Sequence, residues 1–110
     1  MDVAFRVEAD ATPGDGALAY EPPRAGRVRL TVRAGPRRTG GHSVEILRVT
    51  RENALLTITC AFRGPAVGAI VTQALTAPAQ TVSVDERSVR GVHEAILVDE
   101  RGAELARINA

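Results

Sequence analysis

Lysine is absent from this chain, and so is tryptophan; aromatic side chains are limited to Phe5, Tyr20 and Phe62. So few rings leave no platform on which nucleic-acid bases could stack. The fourteen basic residues are all arginine and are offset by thirteen acidic ones, for a net charge of +1. No overall field therefore draws in nucleic acid or an anionic membrane. An exclusive use of arginine reads as codon bias of the source, so no single arginine is marked by its identity as chosen for bidentate recognition. One cysteine, Cys60, cannot form an internal disulfide, and the fold is independent of an oxidising compartment. The opening "MDVAFRVEAD" lacks the basic-then-apolar order of a leader, and no run is long enough to span a bilayer. With Met1 as the native start the expected location is cytoplasmic; with a trimmed precursor it is extracytoplasmic.

What is present is alternation. In "DVAFRVEA", Val3, Phe5 and Val7 share one parity; in "RVRLTVRA", Val28, Leu30 and Val32 oppose Arg27, Arg29, Thr31 and Arg33. In "LLTITCAF", Leu56, Ile58, Cys60 and Phe62 oppose Thr57, Thr59 and Ala61, and "TVSVD" adds Val82 and Val84. Period two marks half-buried strands of antiparallel sheets with one wet face. "VEILRVTR" changes phase, which implies either a β-bulge near Ile46–Leu47, the favoured reading, or a strand covered on both faces. "RENA" reads as a tight turn, with Asn53 tolerant of positive φ, and "VDERGAEL" resembles a hairpin with Gly102 in the left-handed position. "ALAY", between "TPGDG" and "EPPRAG", reads as a short edge strand or part of a long loop. Residues 86–98 fit a short turn followed by a strand better than a helix, because Gly91 interrupts the helical stripe. With 45% hydrophobic residues in 110, residues 1–110 make one all-β domain. The expected architecture is a small antiparallel β-sandwich or partly open barrel of about seven or eight short strands.

Catalytic chemistry is not signposted. Cys60 has the parity of a core residue, and a thiol in apolar surroundings is inert. His42 and His93 lack ligand spacing to each other or to carboxylates, so no metal site is expected. Asp85–Glu86 and Asp99–Glu100 fall in turns, where acidic residues are at home. No phosphate-binding or other cofactor motif is present. The expectation is a protein that is not an enzyme and carries no cofactor.

One loop stands out. Roughly seven residues separate "RVRLTVRA" from the strand beginning near Ser43, whereas a hairpin uses about 2–5. "GPRRTGGHSVEI" places Arg37, Arg38, Thr39, Gly40, Gly41 and His42 at its tip. Adjacent glycines can present backbone amides closely to a partner, and the arginines supply donors for carboxylates or carbonyls. Loops held by rigid strands carry function disproportionately.

"RRTGGHSVEI" and "TQALTAPAQTVSV" together resemble the PrcB C-terminal domain family of bacterial proteins. Thr39, Gly40 and Gly41 match its Thr-Gly-Gly, and Gln73, Thr76, Pro78 and Val82 match its second motif. His42 stands where that family has a tyrosine. The family-like core spans residues 27–84. The family takes its name from an accessory subunit of a bacterial surface protease complex, so the resemblance implies a non-catalytic module that binds a protein partner, a protease among the candidates. "GPRRTGGHS" is also similar, more faintly, to the inhibitory loop of chagasin-like cysteine protease inhibitors, and a small-ligand or anion-binding β domain is a third reading. Arg37, Arg38, Thr39 and His42 are the expected contacts, with Gly40 and Gly41 setting the loop's shape. Pro78 is expected to guard an exposed strand edge. Gln73 and Thr76 either lie on a wet face or bond to the Thr-Gly-Gly loop.

Overall fold

The computed structural model describes every residue from Met1 to Ala110. Eight strands form two four-stranded sheets. The strands are β1 (Phe5–Val7), β2 (Leu18–Tyr20), β3 (Arg27–Arg33), β4 (Ser43–Glu52), β5 (Leu55–Arg63), β6 (Ala79–Asp85), β7 (Glu94–Val98) and β8 (Glu104–Asn109). One sheet has the order β1-β6-β3-β2 and the other β4-β5-β7-β8. The fold is an all-β sandwich, and neither sheet closes into a barrel. No helix is long and apolar enough to cross a membrane.

The core follows from the alternation. Val28, Leu30 and Val32 of β3, with Val82 and Val84 of β6, face Leu56, Ile58 and Cys60 of β5 and Ala95 and Leu97 of β7, in one cluster of seventeen buried residues. Aliphatic side chains suffice because the sheets lie about 10 Å apart, which paired valines, leucines and isoleucines can fill. The bulge is present: pairing of β4 with β5 shifts between Ile46 and Arg48, leaving Leu47 as the extra residue. Asn53 has φ 54° and Gly102 φ 85°, as their turns require. "ALAY" supplies the edge strand β2, and residues 86–98 form a turn of 3-10 helix (Glu86–Val89) followed by β7. Asp85 caps that turn by accepting a hydrogen bond from the Arg87 amide. The Arg87 amide and guanidinium together hold the Asp85 carboxyl below its ordinary range.

Several expectations need correction. The sheets are not antiparallel throughout, since β5 and β7 run parallel. After β5 the chain crosses to the other sheet, descends as β6 and returns through Glu86–Val89, so β7 starts at the same end as β5. Val7 does not join Val3 and Phe5: it is 57% exposed. The first segment changes sheets, with Asp2 bridging Thr50 beside β4 and Phe5–Val7 pairing with β6, so one alternation cannot run through it. Phe62 shares parity with Cys60 but is 41% exposed, although its pairing partner Val44 is buried in the core. Ala61 and Thr59, expected on a wet face, are buried. Glu45, opposite Ala61, closes an ion pair with Arg63 two residues along.

The outer face of the first sheet is also covered. Thr31 and Thr81 share a buried 2.7 Å hydroxyl–hydroxyl hydrogen bond, and the Thr81 hydroxyl accepts from the Thr12 amide. The guanidinium of Arg33 donates to the carbonyls of Thr12, Asp15 and Gly16, and that of Arg29 to the carbonyl of Asp10. The segment after β1 is thereby strapped across the sheet. At its start Ser83 donates to the Glu8 carboxylate, which holds that carboxyl below its ordinary range.

Cys60 is fully buried, and burial, then the charges of Asp99 and Glu100, push its thiol from 9.0 up to about 11. Thiol reagents should label native protein slowly and unfolded protein fast. The stability carried by the neutral buried thiol is fully present below pH 9 and is lost as pH rises through about 11, because the unfolded thiol ionises first. Cys60→Ser should lack that alkaline step and cost about 1–3 kcal/mol in denaturant melts, from a hydroxyl in apolar surroundings.

Candidate functional site

Strand directions bring two long connections to one end of the sandwich. Residues 34–42 carry the chain from β3 to β4, and residues 64–78 carry it from β5 to β6. Each of these is a passage from one sheet to the other. The length of "GPRRTGGH" is explained by this: β3 and β4 are not a hairpin, and a gap of about 10 Å must be crossed.

The two crossovers are bonded to each other. The amide of Arg37 donates to the carbonyl of Thr76 at 2.7 Å, and the Thr76 amide donates back to Arg37 at 2.8 Å. Ala34 donates to the carbonyl of Pro78, and Gly40 to that of Thr72. The Thr76 hydroxyl donates to the carbonyl of Thr39 at 2.8 Å. Of the two residues left open by the sequence, Thr76 therefore bonds to the Thr-Gly-Gly loop, while Gln73 is exposed. Pro78 does not guard an edge. It precedes β6, which lies between β1 and β3 inside its sheet, and it serves the crossover as an acceptor.

Both glycines are required by close approach. A Cβ on Gly40 would lie 2.9 Å from the Thr72 hydroxyl oxygen. One on Gly41 would lie 2.9 Å from Pro65 Cβ and 3.2 Å from Val71 Cγ1, and Gly41 has φ 82°. Pro65, Val71 and Thr72 therefore pack directly on the Gly-Gly step. His42 is half-buried beside Gly64, where a Cβ would stand 3.6 Å from its ring.

The six residues singled out by sequence are thus brought together, but in different environments. Arg38 is exposed, Arg37 and Thr39 are half-buried, and neither arginine has a carboxylate partner. The amides of Arg37 and Gly40 are taken up by the facing crossover, which removes two of the donors an anion would use. Sequence reasoning missed the residues that complete this surface. Val67 and Ile70 are fully exposed and Leu75 is 75% exposed, all on the second crossover. Their signal was an apolar "AVGAIV" that alternates with nothing and joins no strand. No three His, Cys, Asp or Glu side chains gather closely enough to hold a metal ion.

A family model described as PrcB C-terminal matches residues 30–85, which run from within β3 to the end of β6 and include both crossovers. No curated protein and no solved structure matches the chain.

The bonded crossovers predict a coupled pair. Gly40→Ala should destabilise, and Thr72→Ala in the same chain should recover part of the loss by removing the crowded hydroxyl, giving a non-additive double-mutant cycle. Gly41→Val should cost at least about 1–3 kcal/mol in thermal or denaturant melts, since it adds positive-φ strain to a clash with Pro65.

Proposed function

This chain belongs to the PrcB C-terminal family, and from that premise we propose that it is a non-catalytic protein-interaction module, an accessory subunit of a protease complex, which docks through the paired crossovers. The observation that carries this reading is the state of Arg37 and Arg38. The Arg37 backbone is fixed by the bridge to Thr76, Arg38 follows it directly in the chain, and neither guanidinium has a carboxylate to bind. With the loop backbone already ordered, binding has only the side-chain entropy to overcome, and arginine is enriched among residues that dominate interface energy. The family match supports the same location, since it covers both crossovers.

The test begins with affinity isolation of the partner on the tagged full chain, followed by calorimetric titration. Arg37→Ala and Arg38→Ala should leave folding stability within about 0.5 kcal/mol and weaken partner binding by about 1–2 kcal/mol each. Unchanged affinity in both variants overturns the assignment of the surface. Stoichiometric inhibition of a papain-like protease would replace the accessory reading with the inhibitory one.

A further inference from the structure

Residues 64–75, "GPAVGAIVTQAL", contain no charged side chain. They hold Val67 and Ile70 wholly in solvent and Leu75 largely so, at the end of a rigid sandwich to which the segment is fixed by the Gly40–Thr72 hydrogen bond. Single exposed apolar residues are ordinary, but three on one short tethered segment form a local apolar tip. The charge around its base is predominantly positive. Residues 34–44 and 62–84 include Arg37, Arg38 and Arg63 and no Asp or Glu, with Glu45 one residue beyond. Arg63 is paired with Glu45, and the other two arginines are unpaired. On a chain of net charge +1 this balance is a local property.

The charge selects among occupants. A second copy meeting through the same tip would bring arginines against arginines, which opposes an isologous interface. A bilayer would accept the positive rim, but residues 64–75 carry no aromatic side chain, and Phe62 at their base is a single, partly covered ring with no tryptophan or tyrosine beside it to anchor the segment at interfacial depth. The complement is a different protein with an apolar groove and an acidic rim.

We propose that residues 64–75 are the insertion element of the interface: Val67 and Ile70 enter an apolar groove on the partner protein, and aspartates or glutamates on its rim receive Arg37 and Arg38. This rests on the interaction reading above, and adds the side chains that drive association and the chemistry of the surface they meet.

The test uses the full chain with a photo-reactive benzoylphenylalanine replacing Ile70, and separately replacing Arg38, irradiated in an extract of the source cells. Cross-linked peptides are identified by mass spectrometry. Both positions should join the same partner, position 70 to an apolar stretch bounded by Asp or Glu. Unlabelled chain carrying Val67→Ser and Ile70→Ser should compete at least about tenfold more weakly than the native chain, as expected when buried apolar area is lost, with an unchanged Tm. Cross-linking from position 38 alone overturns the insertion element and leaves the interaction reading standing. No cross-link from either position overturns both. Cross-links from position 70 to another copy of this chain overturn the choice of partner, as does Ile70-dependent sedimentation with phosphatidylglycerol vesicles.

Discussion

Two backbone hydrogen bonds, Arg37 to Thr76 and Thr76 back to Arg37, hold together the two places where the chain leaves one sheet for the other at this end. A crossover between sheets satisfies few of its own backbone groups, because it belongs to neither ladder. Pairing the two crossovers solves this for both at once. It also fixes the entry of β4 and of β6, the strands into which the crossovers lead. Gln80 of β6 extends the same tie between the sheets by accepting a 2.6 Å hydrogen bond from the Ile46 amide, just before the bulge of β4. Tight pairing in turn demands the absence of side chains at Gly40 and Gly41, where Thr72 and Pro65 approach.

The two outer faces are managed differently. On the β1-β6-β3-β2 sheet, Arg29 and Arg33 bind main-chain carbonyls and strap the segment after β1 over the Thr31–Thr81 pair. On the other sheet Arg107 at the β8 edge pairs with Glu94 and Glu104. Arginine thus serves here as a fastener of backbone as well as a partner of carboxylates, a use its five fixed donors permit. Arg37 and Arg38 bind no carboxylate, and Arg37 reaches only the carbonyl of its neighbour Pro36, so neither ties distant parts of the chain together.

Much of the fold was legible because period two is a local property. The strands over Arg27–Arg33, Leu55–Arg63 and Ala79–Asp85, the bulge after Ile46, and the turns at Asn53 and Gly102 follow from neighbouring residues alone. The candidate loop was legible too, through excess length and its Thr-Gly-Gly step. Its meaning was not: what resembled an overlong hairpin is a passage between sheets. The apolar tip escaped notice because Val67 and Ile70 look, in sequence, like core residues.

The sequence by itself determined where the long strands run, which face of Arg27–Arg33 and Ala79–Asp85 carries core valines and leucines, and where the backbone must turn, since each depends on side chains within a few positions of one another. Only the tertiary structure decided which strands share a sheet, that β5 and β7 run parallel, and that residues 34–42 and 64–78 meet. Alternation says that a strand has an inside but not what lies across it. Partner choice depends on closing long loops and matching whole faces, and those terms are summed over the chain rather than written in any stretch of it.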